Sequence, residues 1–395
     1  MDWLTSTLPR SLEGFPEIPR WSMGLLLGTG FVTYYLYEAV KLPTLACSQN
    51  SKFREFLENH VPVIREKFWP TVWCFESRLQ TVFASVLRQH TLPDIEYRRQ
   101  IFRLKDGGEL ALDWLGPDGS SLKDPLVLVL PGLTGNSQAE YIKSLMRAAQ
   151  AQGFRCVVLN NRGLGGVDLK TPRTYCASNS EDLGEVVDHL RETDCAKNTP
   201  LIVVGISMGG LMLGNYLAAH GEEAKDKIDA GMIISVPWDV FKATESIEQF
   251  GLNRLLNYHL ATSLVKTLDR VKHHMPWDVE EALKSTTVRQ FDSRFTCKQF
   301  GYNDVDEYYS AATLHTKLDR IKVPTLCLSA ADDPFQPLDA IPVDAAHKSE
   351  HVAILITARG GHIGFMDALR PGEDYMCRVF VQYVEAVMKK GRPEV

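Results

Sequence analysis

From residue 99 onward, short apolar runs punctuate the chain: LALDW (110–114), LVLVL (126–130), RCVVL (155–159), LIVV (201–204), GMIISV (231–236), TLCLS (325–329) and VAILIT (352–357). Runs of this length without polar alternation suit strands buried on both faces, and helical patterns fill the intervals between them. The rhythm predicts an α/β fold with a mostly parallel sheet and helices on both faces. Ser178-Asn-Ser-Glu181, ahead of DLGEVVDHLRE, has capping-box spacing and predicts a helix start. One stretch, about 239–322, contains no strand-like run and carries helical patterns such as LNRLLNYHLATSLVKTL (252–268) and VEEALKS. An insertion after the sixth strand lies over the carboxyl ends of the strands, where ligands bind, so this stretch is expected to form a helical cap.

Before residue 99 the pattern changes. Residues 21–40, WSMGLLLGTGFVTYYLYEAV, hold one charge, Glu38, and keep Trp21, Tyr34, Tyr35 and Tyr37 toward the flanks. Twenty such residues span a bilayer core, and the glycines at 24, 28 and 30 suit a membrane helix better than a soluble one. A cleaved signal peptide would have a shorter apolar region, a more basic flank and a small-x-small cleavage site, whereas Lys41-Leu-Pro follows here. The expected organisation is therefore a tail at 1–20, a transmembrane anchor at 21–40, a helical pre-domain segment at 41–98 and a catalytic domain at 99–395. Arg10 and Arg20 precede the span and Lys41, Lys52 and Arg54 follow it, which leaves its orientation open. Leu79, Val82, Phe83, Val86 and Leu87 form one helix face, expected to pack on the catalytic domain because the segment lacks the lysine-rich polar face of a membrane-surface helix.

Composition narrows the function classes. A formal charge of −6 and a pI near 6.0 supply no basic face for nucleic acid. The eight cysteines are scattered, with no C-x-x-C pair and no cysteine–histidine spacing suited to zinc, and no N-x-[ST] acceptor occurs; both lean toward a reducing compartment.

The chemistry concentrates at three places. LIVV, then Gly205-Ile206-Ser207-Met208-Gly209, then LMLGNYLAAH, reads as strand, G-x-S-x-G turn and helix, which makes Ser207 the candidate nucleophile and Gly205 and Gly209 the residues that let the turn close. A serine hydroxyl needs a base and an orienting carboxylate, here in the order serine, acid, histidine. Asp333 follows the TLCLS strand in ADDPFQP, with Asp332 as its rival, and His362 follows the last strand in ARGGHIGF. An oxyanion would be held by the amide of Met208 and by that of Leu133 in LPGLTGNS, with help from Thr134 or Gly135. This machinery requires no cofactor and no metal. His273-His274 has no carboxylate or third histidine following at ligand spacing and is expected to face solvent; Asp367, five residues after His362, is expected at a helix start; Arg162 in NNRG is expected to hold carbonyls or a carboxylate.

FWPTVWCFE (68–76), LPGLTG, NNRG (160–163), GISMGG, RQFD (289–292) and ARGGHIGF together resemble the membrane-anchored α/β-hydrolase domain-containing proteins of the 1/3 subfamily, over residue 43 to the end. The resemblance implies an α/β-hydrolase fold, a triad on Ser207, Asp333 and His362, and a single-pass membrane protein acting without a metal as esterase and phospholipase on phosphatidylcholine. A small-ester, monoacylglycerol or thioester hydrolase, or an acyltransferase, remains the alternative.

Overall fold

The structure, a computed structural model, describes residues 20–117, 119, 121–196, 198–367 and 374–395. The tail expected at 1–20 lies, except for Arg20, outside them. One nine-stranded sheet runs through the molecule in the order β1-β9-β8-β7-β6-β4-β5-β3-β2. Its strands are β1 (Thr44–Ala46), β2 (Arg98–Arg103), β3 (Glu109–Leu115), β4 (Leu126–Leu130), β5 (Arg155–Asn160), β6 (Leu201–Ile206), β7 (Ala230–Ile234), β8 (Thr325–Ala330) and β9 (Val352–Thr357). The six from β5 to β9 in sheet order are parallel, while β3, β2 and β1 close the edges antiparallel.

The apolar runs became strands because each supplies side chains to both faces. Leu126, Leu128 and Leu130 of β4 join the core under α5 (Glu181–His189) and α6 (Met208–Lys227). The alternate residues Val127 and Val129 join the core under α4 (Glu140–Ala151) and α14 (Tyr375–Lys390). Each such side chain contributes about 1.5–3 kcal/mol on burial, so a register slip would cost both cores at once. Two strands escaped the sequence pattern. β2 reads RRQIFR and sits at an exposed edge, and β1 is three residues long. β1 pairs with β9, and α2 (Lys52–His60) buries Phe53 and Leu57 in the main core, so residues 41–98 are part of the catalytic domain and not a separate helical segment.

Between β7 and β8 the chain is helical: α7 (Val240–Glu248), α8 (Leu252–Val271), then the short α9 (Glu280–Leu283), α10 (Val288–Phe291), α11 (Cys297–Phe300) and α12 (Val305–Ala312). A further short helix, α13 (Val343–Lys348), precedes β9.

Three expectations are corrected. The span expected at 21–40 is not a single α-helix: α1 (Arg20–Tyr34) gives way to a π-helical turn, Tyr35–Ala39, and no described helix is long and apolar enough to cross a membrane. The remainder is drawn into the domain, where Tyr35 and Ala39 are buried beside Trp69 and Phe75 and the Tyr35 hydroxyl donates to the Pro70 carbonyl at 2.6 Å. The capping box does not form, since α5 starts after Ser180 and the Asn179 side-chain Oδ1 accepts from the Glu181 amide while Ser178 is engaged by Tyr302. The third correction concerns α3 (Ser77–Thr91). Its apolar stripe does not pack on the domain: Leu79, Val82, Phe83, Val86 and Leu87 are all exposed, and Ser77, Gln80, Ala84 and Arg88 face inward.

Candidate active site

Ser207 sits between β6 and α6 with φ 53° and ψ −116°, a left-handed backbone that costs a non-glycine residue about 1–3 kcal/mol. The surroundings force it to stay: the Ser207 amide donates to the Ile234 carbonyl at 2.8 Å, and the Ser207 carbonyl accepts from Gly210 at 2.9 Å. The two flanking glycines are steric requirements. A Cβ at 205 would lie 2.4 Å from the Gly209 carbonyl oxygen, and one at 209 would lie 2.3 Å from that of Leu130 on β4.

The loop after β9 brings His362 onto the serine. Its Nε2 is 2.9 Å from Ser207 Oγ, and its Nδ1 is 2.9 Å from Asp333 Oδ2. Asp333, buried, also accepts from the Phe335 amide through Oδ1 at 2.8 Å, and the Phe335 ring meets the imidazole edge-on at 4.4 Å. Asp332, the rival acid, turns away from the imidazole and accepts from the Gly361 amide at 3.0 Å; burial pushes its carboxyl up to about 7.

That loop is tight, with Gly361, Ile363 and Phe365 all at positive φ, and α3 clamps it. The His362 amide donates to Thr81 Oγ1 at 2.9 Å. Arg88 donates to the carbonyls of Ile363 and Gly364 at 2.8 and 2.6 Å and pairs with Asp374 at 2.8 Å, while the Met366 amide reaches Gln80 Oε1 at 3.2 Å. A Cβ at 361 would sit 2.3 Å from the Ser77 carbonyl oxygen, so helix and loop touch backbone to backbone. Sequence analysis missed Thr81 and Arg88 as partners of the histidine loop. Nothing local marks them, since they lie some 280 positions upstream.

A cavity of about 240 Å³ opens on Ser207 and His362 and is lined by Leu133 and Met208, the two expected oxyanion donors. The amides of Thr134 and Gly135 are already committed, to the Tyr175 hydroxyl and to the Gly132 carbonyl, and so lend no help there. The cap supplies an apolar wall, including Val240, Ala243, Ile247, Leu260 and Val288. Within that wall lies Asp292, buried, with its carboxyl accepting from Thr296 at 2.7 Å and Tyr309 at 3.2 Å. Burial pushes this carboxyl up to about 7.

Fold and site can now be set beside known proteins. The alpha/beta hydrolase fold family matches residues 125–369. Phospholipase ABHD3 of Mus musculus is 40% identical over 380 residues, covering 93% of this chain and 90% of the relative. The chain belongs to the α/β-hydrolase family. Monoacylglycerol lipase ABHD2 of Danio rerio is 27% identical, with 96% of each chain covered. Among solved structures, an acylaminoacyl peptidase of Pyrococcus horikoshii shares the fold with a TM-score of 0.50 at 17% identity, covering 79% of this chain and 44% of that one.

The other singled-out residues of this hydrolase have structural partners. Arg162 is buried and pairs with Asp182 at 2.6 Å and Asp106 at 2.6 Å, in keeping with the expected carboxylate contact. Asp367 is buried against Arg378, and the residues after it, on which the expected helix start falls, lie outside the described ones; Asp374 precedes the first turn of α14. The His273-His274 pair does meet a carboxylate, because Asp168 comes within 3.2 Å of His274 from a loop that the sequence places more than 100 residues away. The three present ligand atoms within 4.8 Å of one another, and none of them lines the cavity. All eight cysteines are buried and none is in a disulfide.

Proposed function

We propose that this hydrolase cleaves carboxylic esters of lipids, phosphatidylcholine foremost, through an acyl-enzyme on Ser207. The observation that carries the proposal is the unbroken Ser207–His362–Asp333 chain, 2.9 Å at each link, opening into an apolar chamber under the cap. In this scheme His362 Nε2 takes the Ser207 proton as Oγ attacks the ester carbonyl, and Asp333 holds Nδ1–H so that the imidazole presents its lone pair to the serine. The developing oxyanion is met by the amides of Leu133 and Met208, each worth roughly 3–4 kcal/mol to the transition state by analogy with other oxyanion donors. His362 then returns the proton to the departing lysolipid alcohol, and water releases the fatty acid by the reverse sequence. The phospholipid substrate is supported by the similarity to Phospholipase ABHD3; the more distant Monoacylglycerol lipase ABHD2 gives the second substrate to include. The same proposal puts the enzyme at a membrane surface, held by α1, whose residues from Met23 to Tyr34 are exposed.

A fluorophosphonate probe should label the wild-type protein and fail on Ser207→Ala, and Asp333→Asn should lower kcat by about 10⁴ while Asp332→Asn costs far less. Fatty acid or lysophospholipid should be released from phosphatidylcholine vesicles. If soluble esters are hydrolysed but phosphatidylcholine of every chain length is left intact, the enzyme is a small-ester or monoacylglycerol hydrolase instead.

A further inference from the structure

The large apolar side chains that the described residues expose are not scattered. All but Leu42, Ile101, Leu122 and Leu338 lie in four places: α1 and the turn after it, the loop at Val72 and Trp73, the outer face of α3, and the tip of the cap from Phe250 to Tyr258. These places adjoin. Phe75 packs against Phe31 and Tyr34 at 5.8 Å, which joins α1 to the loop; Trp73 meets Phe83 at 5.6 Å, which joins the loop to α3; and Arg78 Nε donates to Asn253 at 2.6 Å, which joins the start of α3 to the start of α8. Scattered exposed hydrophobes need no explanation, but a contiguous set of this extent marks an interaction surface.

We infer that this surface is a membrane-docking face, so that α3 and the cap tip enter the lipid interface together with α1. The inference rests on the lipid-ester reading above and adds where on the molecule the bilayer is met. Two observations select lipid over a protein partner. Residues Met23 to Tyr34 are all exposed, even Phe31 and Tyr34 beside Phe75, and a groove on a partner covers one side of a helix, whereas lipid can cover the rest. Residues 79–87, LQTVFASVL, contain no charged side chain, while Gln80, Thr81 and Arg88 are spent on the histidine loop. An interface of partners in water would favour a polar rim across such a helix. The consequence for catalysis is positional. The cap helices that line the chamber with Ile247 and Leu260 also expose Leu252 and Leu255, so the docking face and the chamber are built on the same helices.

The experiment uses the full chain. Because every native cysteine is buried, Val82→Cys and Phe250→Cys can each be labelled selectively with an environment-sensitive fluorophore. On adding phosphatidylcholine vesicles, emission from both positions should shift to the blue and be quenched by lipids carrying a shallow nitroxide. Val82→Ser/Val86→Ser and Phe250→Ser/Leu255→Ser should each lower vesicle binding at least about tenfold. Vesicle turnover should fall in step, with kcat/KM on a soluble short-chain ester unchanged. Vesicle binding without any change at 82 and 250 would overturn the docking face and leave the hydrolase proposal standing. A blue shift that instead follows protein concentration without lipid, with a doubled mass by light scattering, would assign the face to a second copy and also overturn it. Docking at both positions with no phosphatidylcholine cleavage would overturn the phospholipase reading alone.

Discussion

Helices α3 and α14 have almost the same length, 15 and 16 residues, and close on the histidine loop from two directions, yet they turn opposite kinds of side chain toward the protein. α14 buries Met376, Val379, Phe380, Tyr383, Val384 and Val387 against the sheet and leaves Lys389 and Lys390 at its last turn. α3 buries Ser77, Gln80, Ala84 and Arg88 and shows its valines and leucines to the outside. Both patterns have the 3.6-residue period, so both read as amphipathic helices. The difference is what holds them: α14 is fixed by apolar area, α3 by hydrogen bonds to loop backbone that no apolar face could satisfy. A helix that clamps a catalytic loop and also meets lipid must put its polar side inward.

The comparison can be broken most severely at Arg88. Arg88→Met leaves Asp374 and two loop carbonyls without their cation, which should lower stability by about 3–5 kcal/mol in urea unfolding and reduce ester hydrolysis even in the remaining folded fraction. Phe380→Ala on α14 should cost a similar 3–5 kcal/mol from cavity formation, but with kcat on a soluble ester unchanged in the folded fraction. If the two variants lose activity alike, α3 has no special hold on the loop.

Asp292 sharpens the contrast from another side, as a buried polar group held by hydroxyls alone. Its folded carboxyl keeps a proton up to about 7, against 3.8 for the ordinary group, so between those values the folded state binds more protons than the unfolded one. Stability is therefore full below about 3.8 and is lost as pH rises from there through the folded value near 7, by an amount of a few kcal/mol. Asp292→Asn should flatten part of that fall between about pH 4 and 7 in thermal melts, leaving the part due to Asp332; an unchanged slope would show that Asp292 is ionised throughout. Thr81→Val should cost about 1–3 kcal/mol by leaving the His362 amide unsatisfied, and should lower kcat more than it changes KM. The smallest effect belongs to the outer face: Val86→Ser should move stability by no more than about 0.5 kcal/mol, because nothing in the protein covers it.

Most of the catalytic centre was legible beforehand because each part carries a local mark. The G-x-S-x-G turn is written in consecutive residues whose glycines answer to backbone clashes, and Asp333 and His362 each follow a strand that its own apolar run announces. The sheet was legible for the same reason, except at its edges, where β2 is polar and β1 short.

What the sequence could determine by itself was therefore whatever depends on neighbours in the chain: period, run length, turn chemistry and triad order. Tertiary structure alone decided direction and partnership. It turned the stripe of α3 outward because Arg88 and Gln80 found carbonyls and an amide about 280 residues away, drew Tyr35 into the domain, and brought Asp168 to His274. Periodicity specifies that a helix has two faces, and only the surfaces it meets specify which of them faces in.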